Sequence, residues 1–169
     1  MANTYELIAS STVGSGGVAS VTFSSIPGTY TNLIVKGSVR GSNAGQVQQR
    51  ILISFNGSSA DYTFRTLNDA AGTPVSFDRS SFGDNNLVYI PAPDTTANTF
   101  GNFEVYFPNY TSSSLKSISV DGVMENNSTT NYNNLLAGLW SQTAAITSLT
   151  FSANMAQYST FYLYGIKNS

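Results

Sequence analysis

Carboxylates are the main acid–base groups available to this chain, because its 169 residues include no histidine and no cysteine. Two carboxylates suffice for glycoside hydrolysis, one as general acid and the other as nucleophile or base. Glu6, Glu104 and Glu125 are the only glutamates. Glu6 and Glu104 stand in alternating runs, where an outward carboxylate solvates a sheet face, and Glu125 opens an asparagine-rich stretch, so none marks a catalytic pair. Triads, cysteine nucleophiles and structural zinc sites draw their bases and ligands mainly from the two missing residue types. The chain is therefore read as a non-enzyme without metal or other cofactor. Oxygen ligands for calcium occur at Asp84-Asn85-Asn86 and at Asp121 with Glu125. Neither stretch has the spacing of a dedicated calcium loop, and both read as turns. Gly14-Ser15-Gly16-Gly17 lacks the helix and lysine of a phosphate cradle and reads as a tight reversal.

Aromatic residues offer a different chemistry, since ring faces stack on pyranoses and asparagine amides bond to hydroxyls. The chain has ten tyrosines and a single tryptophan, Trp140. Trp140 ends an apolar run in which core packing is expected, and Tyr162 and Tyr164 flank Leu163 in a run read as buried on both faces. Tyr132 lies in the longest polar stretch, residues 125–134. With Asn131 and Asn133 it makes up a candidate surface-recognition loop.

The surface that must carry these residues is unusual in its solvation. Only 9% of residues are charged, against about 25% in ordinary domains. Instead 25 Ser, 18 Thr and 17 Asn are spread between apolar positions. The net charge is −2, and the seven cations are scattered from Lys36 to Lys167. Nucleic acid is excluded as a partner, because phosphate tracking needs clustered cations. No apolar run is long enough for a membrane span, and no basic segment precedes an apolar one at the start. The expectation is a soluble protein synthesised in the cytoplasm without a signal peptide, and no membrane partner.

Period-two alternation dominates the chain, punctuated by Gly, Asn, Pro and Ser. Residues 5–9 and 18–26 read as a hairpin around the Gly14 to Gly17 turn. Further runs at 33–40, 51–55, 87–90, 103–107, 117–124, 135–140, 146–151 and 161–166 read as strands. Residues 58–86 are less regular and read as one or two weak strands with a long loop. About ten short strands without helical crossovers exceed what one open sheet holds. The expected fold is a single all-β domain over residues 1–169, an antiparallel β-sandwich with jelly-roll topology.

Three stretches carry a resemblance: residues 2–31 (ANTYELIASSTVGSGGVASVTFSSIPGTYT), 125–150 (ENNSTTNYNNLLAGLWSQTAAITSLT) and 157–169 (QYSTFYLYGIKNS). They resemble small virion structural proteins of tailed bacteriophages, a group frequent in phages of marine and freshwater bacteria, cyanophages included. Residues 42–94 lie outside the resemblance, and it transfers no catalytic residues. It implies a viral structural protein of the kind that binds the major capsid protein. Related β-sandwich proteins sit as homotrimers on the capsid surface and act as cement or decoration proteins. The alternative it implies is a head or tail fibre module that recognises a host glycan.

Overall fold

Each alternating run of the sequence has one apolar face to cover, and the fold covers all of them with two antiparallel sheets packed face to face. The computed structural model describes residues 4–70, 72–79, 86–127, 129 and 131–167. In chain order the strands are β1 (Tyr5–Thr12), β2 (Val18–Phe23), β3 (Asn32–Val39), β4 (Gln48–Phe55), β5 (Tyr62–Ala70) and β6 (Thr73–Arg79). There follow β7 (Asn86–Pro91), β8 (Gly101–Phe107), β9 (Lys116–Met124), β10 (Tyr132–Trp140), β11 (Leu149–Met155) and β12 (Thr160–Ile166). One sheet has eight strands in the order β1-β12-β3-β8-β9-β10-β5-β6, and the other has four in the order β2-β11-β4-β7.

The strands number twelve, and the weak ones expected in residues 58–86 are β5 and β6, a paired hairpin through Phe64↔Arg79 to Ala70↔Thr73 in place of a long loop. The N-terminal runs do not form a hairpin. β1 pairs with β12 in the larger sheet, whereas β2 pairs with β11 in the smaller one. The turn between them does hold glycines where positive φ is needed, at Gly16 (97°) and Gly17 (72°), a conformation that β-carbon sterics make costly for other residues. It carries the chain from one sheet to the other instead of reversing it within a sheet. Ile146 is buried but precedes β11, which runs on to Met155.

Inward residues from both sheets meet in one core. Phe103 on β8 and Phe161 on β12 face Phe151 on β11, with ring centroids 6.1 and 5.4 Å from it. A second cluster joins Phe55 on β4 to Phe107, Tyr62 and Trp140 at 5.7, 5.3 and 5.3 Å. Burying each such side chain contributes about 1.5–3 kcal/mol. Gly37 makes room for the first cluster, because a β-carbon there would lie 2.4 Å from the Phe103 ring. β7, at the edge of the smaller sheet, packs over β8, β9 and β10.

Buried cations hold the loops at the ends of the sheets. Arg40 donates through Nη1 to the carbonyls of Thr96 and Thr99 at 3.0 and 2.9 Å and through Nη2 to that of Ala92 at 3.1 Å. Lys116 is 1% exposed and donates through Nζ to the carbonyls of Ser112, Ser114 and Thr143 at 2.6, 2.5 and 3.2 Å. Burial pushes its ammonium below the ordinary lysine value, while the three acceptors tie the loop after β8 to the loop after β10. Lys116→Met keeps the length of the side chain but strands those carbonyls, and is expected to cost about 1–3 kcal/mol. Urea denaturation reads this as a lower midpoint at unchanged slope. An unchanged midpoint would show that water serves the carbonyls equally well.

Candidate interaction surface

Among the described residues no layer of strands lies over the outer face of the eight-stranded sheet, and the register sets its residues in rows. One row crosses six strands: Tyr162, Lys36, Glu104, Asp121, Leu135 and Leu67 stand opposite one another in turn. Alternation puts all six side chains on one face. Lys36 Nζ lies 2.9 Å from Glu104 Oε2, and hydrogen bonding to Glu104 holds the ammonium above the ordinary lysine value. Asp121 stands directly opposite Glu104, a like-charge pairing that costs stability in a sheet. Among the described residues its carboxylate has no hydrogen bond or ion pair.

Three shallow hollows run along this face. The largest, about 550 Å³, lies over β12, β3, β8 and β9 and is bordered by Tyr162, Ser38, Asn102, Glu104 and Asp121. The other two, about 470 and 340 Å³, continue it over β10, β5 and β6. At the far end Leu67 is 52% and Leu135 55% exposed, set among Arg65, Asp69 and Asp78, while Val123, 40% exposed, borders the largest hollow. At the near end Tyr162 is 39% exposed, its ring nearly parallel to that of Tyr164 (27°, 6.5 Å). Tyr164 in turn meets Tyr5 edge-on at 6.5 Å.

The exposure of Tyr162 corrects the expectation that β12 is buried on both faces. Phe161 and Leu163 are fully buried on its inner face, and Tyr162 and Tyr164, which alternate with them, point outward. The reverse correction applies to Tyr132, which opens β10 instead of lying in a loop. Its ring stacks on Tyr89 at 4.4 Å and 21° and is half-buried. Tyr89 carries Arg50 on it, with Cζ 5.0 Å from the ring centroid, and accepts from Arg50 Nη2 at 2.8 Å. Asn131 precedes the strand and is half-buried, whereas Asn133 is exposed on the outer face beside Asp121 and Leu135. The three residues are therefore divided by the pleat, and only Asn133 reaches the hollows.

The other residues singled out in the sequence take separate places. Glu6 pairs with Lys167 at 3.1 Å, and a carboxylate oxygen of Glu125 accepts from the backbone N–H of Asn127 at 2.7 Å. Glu6 on β1 and Glu104 on β8 are three strand spacings apart, about 14 Å at about 4.8 Å per strand, beyond the reach of a glycosidase pair. Asp84 and Asn85 lie outside the described residues, and among those described no three acidic side chains gather as a metal site. The exposed tyrosine of β12 was obscured in the sequence by its resemblance to a continuous apolar run. In comparisons with known proteins, no family model, curated protein or solved structure matches the chain.

Proposed function

We propose that the chain is a virion structural protein of a tailed bacteriophage, a cement or decoration protein that binds the outer surface of the major capsid shell as a homotrimer. The observation that carries this reading is the broad outer face of the eight-stranded sheet, where exposed Leu67, Leu135 and Val123 lie among paired charges, Lys36 with Glu104 and Arg65 with Asp78. Exposed apolar side chains set among amides and paired charges are the pattern of a protein contact surface. Few charges also let many neighbours crowd on one shell without mutual repulsion.

The strand order supports a jelly roll. The pairs β1·β12, β2·β11, β3·β8 and β4·β7 are nested as in one long folded hairpin. Wrapping that hairpin gives the two four-stranded halves β1-β12-β3-β8 and β2-β11-β4-β7, the double Greek key found in capsid and lectin domains. The hairpins β5–β6 and β9–β10 are then insertions that widen one half into the candidate contact face. The second reading, a head or tail fibre module, is favoured by the exposed tyrosines of β12.

Quantifying the chain in purified parent virions separates the two. The cement reading expects on the order of hundreds of copies per particle, because closed symmetric shells repeat their surface contacts at every equivalent position. A count in the low tens or fewer would sink it and favour the fibre reading.

A further inference from the structure

We propose that the hollow beside Tyr162 is a binding site for a neutral oligosaccharide. The inference goes beyond the shell reading and does not rest on it.

A solvent-facing aromatic ring on a rigid strand is the first requirement for holding a sugar. Tyr162 sits in mid-strand with β1 on one side and β3 on the other, so its backbone is fixed by two ladders. Tyr164 lies nearly parallel to it at 6.5 Å and limits how far the ring can turn. The ring therefore presents a flat apolar surface at little entropic cost, which is what stacking on a pyranose requires. The second requirement is a set of donors and acceptors around the ring. Ser38, Asn102 and Thr160 supply hydroxyls and an amide at the border of the same hollow, groups that both donate and accept. Asp121 adds a carboxylate with no partner among the described residues, whereas Glu104 is already engaged by Lys36.

Size and charge narrow the ligand. The hollow of about 550 Å³ is in the range of small-molecule sites. From β12 to β9 it crosses three strand spacings, about 14 Å, room for a short run of rings and not a single one. Lys36, Glu104 and Asp121 together leave one net negative charge in the row. A uronic acid or sulfated glycan would meet that charge with Lys36, the one cation among the described residues lining the hollow, already paired. A nucleic acid strand is disfavoured for the same reason.

The test uses the full chain with maltohexaose, cellohexaose, chitohexaose and mannohexaose as neutral probes and polygalacturonate as the acidic one, followed by titration calorimetry. At least one neutral probe is expected to bind, and polygalacturonate to bind more weakly than it. Tyr162→Ala is expected to weaken that binding about tenfold with the melting temperature kept, and Tyr162→Phe to retain it. If Tyr162→Ala proves unstable, Asp121→Ala decides, because that side chain holds nothing in the fold and its loss is expected to weaken binding measurably. Failure of every neutral probe to bind, equal or tighter binding of polygalacturonate, or indifference of the neutral ligand to these substitutions would each overturn the assignment.

Discussion

Trp140→Ala is expected to remove about 3–5 kcal/mol of stability, the range for emptying a buried large aromatic site. Trp140 is 3% exposed at the end of β10 and packs edge-on against Phe55 at 5.3 Å and nearly parallel to Tyr62 at 6.4 Å. Phe55 belongs to the smaller sheet and the other two rings to the larger one, so the cavity would open where the sheets are joined. Collapse around it is hindered by Tyr62, whose hydroxyl donates to the Ser58 carbonyl at 2.9 Å and accepts from the Phe55 N–H at 2.8 Å. Trp140→Phe is expected to cost less, since it keeps a ring and removes an indole N–H that has no partner among the described residues. As Trp140 is the only tryptophan, circular dichroism in a urea series is the suitable probe. A loss below about 1 kcal/mol, the ordinary effect of a point substitution, would contradict the packing described.

Deleting residues 161–166 is expected to abolish cooperative folding. β12 is laddered to β1 on one side and to β3 on the other, and it contributes Phe161 and Leu163, both fully buried, to the core. Without it β1 loses its only partner strand and β3 acquires an open edge. Unpaired edges of long strands pair with other chains, so the truncated protein should aggregate on size-exclusion chromatography and show no sharp thermal transition. A soluble monomer with a cooperative melt would overturn the central place given to β12. The contrast with β6 is instructive. It is an edge strand with one partner, β5, and Thr73, Pro74, Val75 and Ser76 on it are exposed, so its loss is expected to matter far less.

The strands covered on one face only are legible in the order of the residues. In β9, Ile118, Val120 and Met124 are buried and Ser117, Ser119, Asp121 and Val123 are exposed, the alternation being written residue by residue. β8 is legible for the same reason. Their polar and apolar positions match their surroundings, and the period of a strand turns that match into a face. The absence of histidine and cysteine, and with it the loss of most nucleophile and metal chemistry, is likewise a property of composition alone.

Which face is covered, and by what, follows from packing between strands distant in the chain. β5 looks weak because Thr66 and Asn68 occupy inward positions, yet both are buried, and Asn68 pairs with Asn134 beneath β7. Gly14 to Gly17 read as a turn, and it is one, but the same turn chemistry serves a hairpin or a change of sheet, and the partner strands β11 and β12 lie far away in sequence. Tyr162 and Tyr132 exchange roles for this reason. The ring of Tyr132 is covered because β7 brings Tyr89 against it, and that of Tyr162 is open because no strand among the described residues crosses the outer face of β12. Alternation tells which side chains share a face, whereas covering that face takes strands from elsewhere in the chain, and nothing in a local pattern encodes where those will pack.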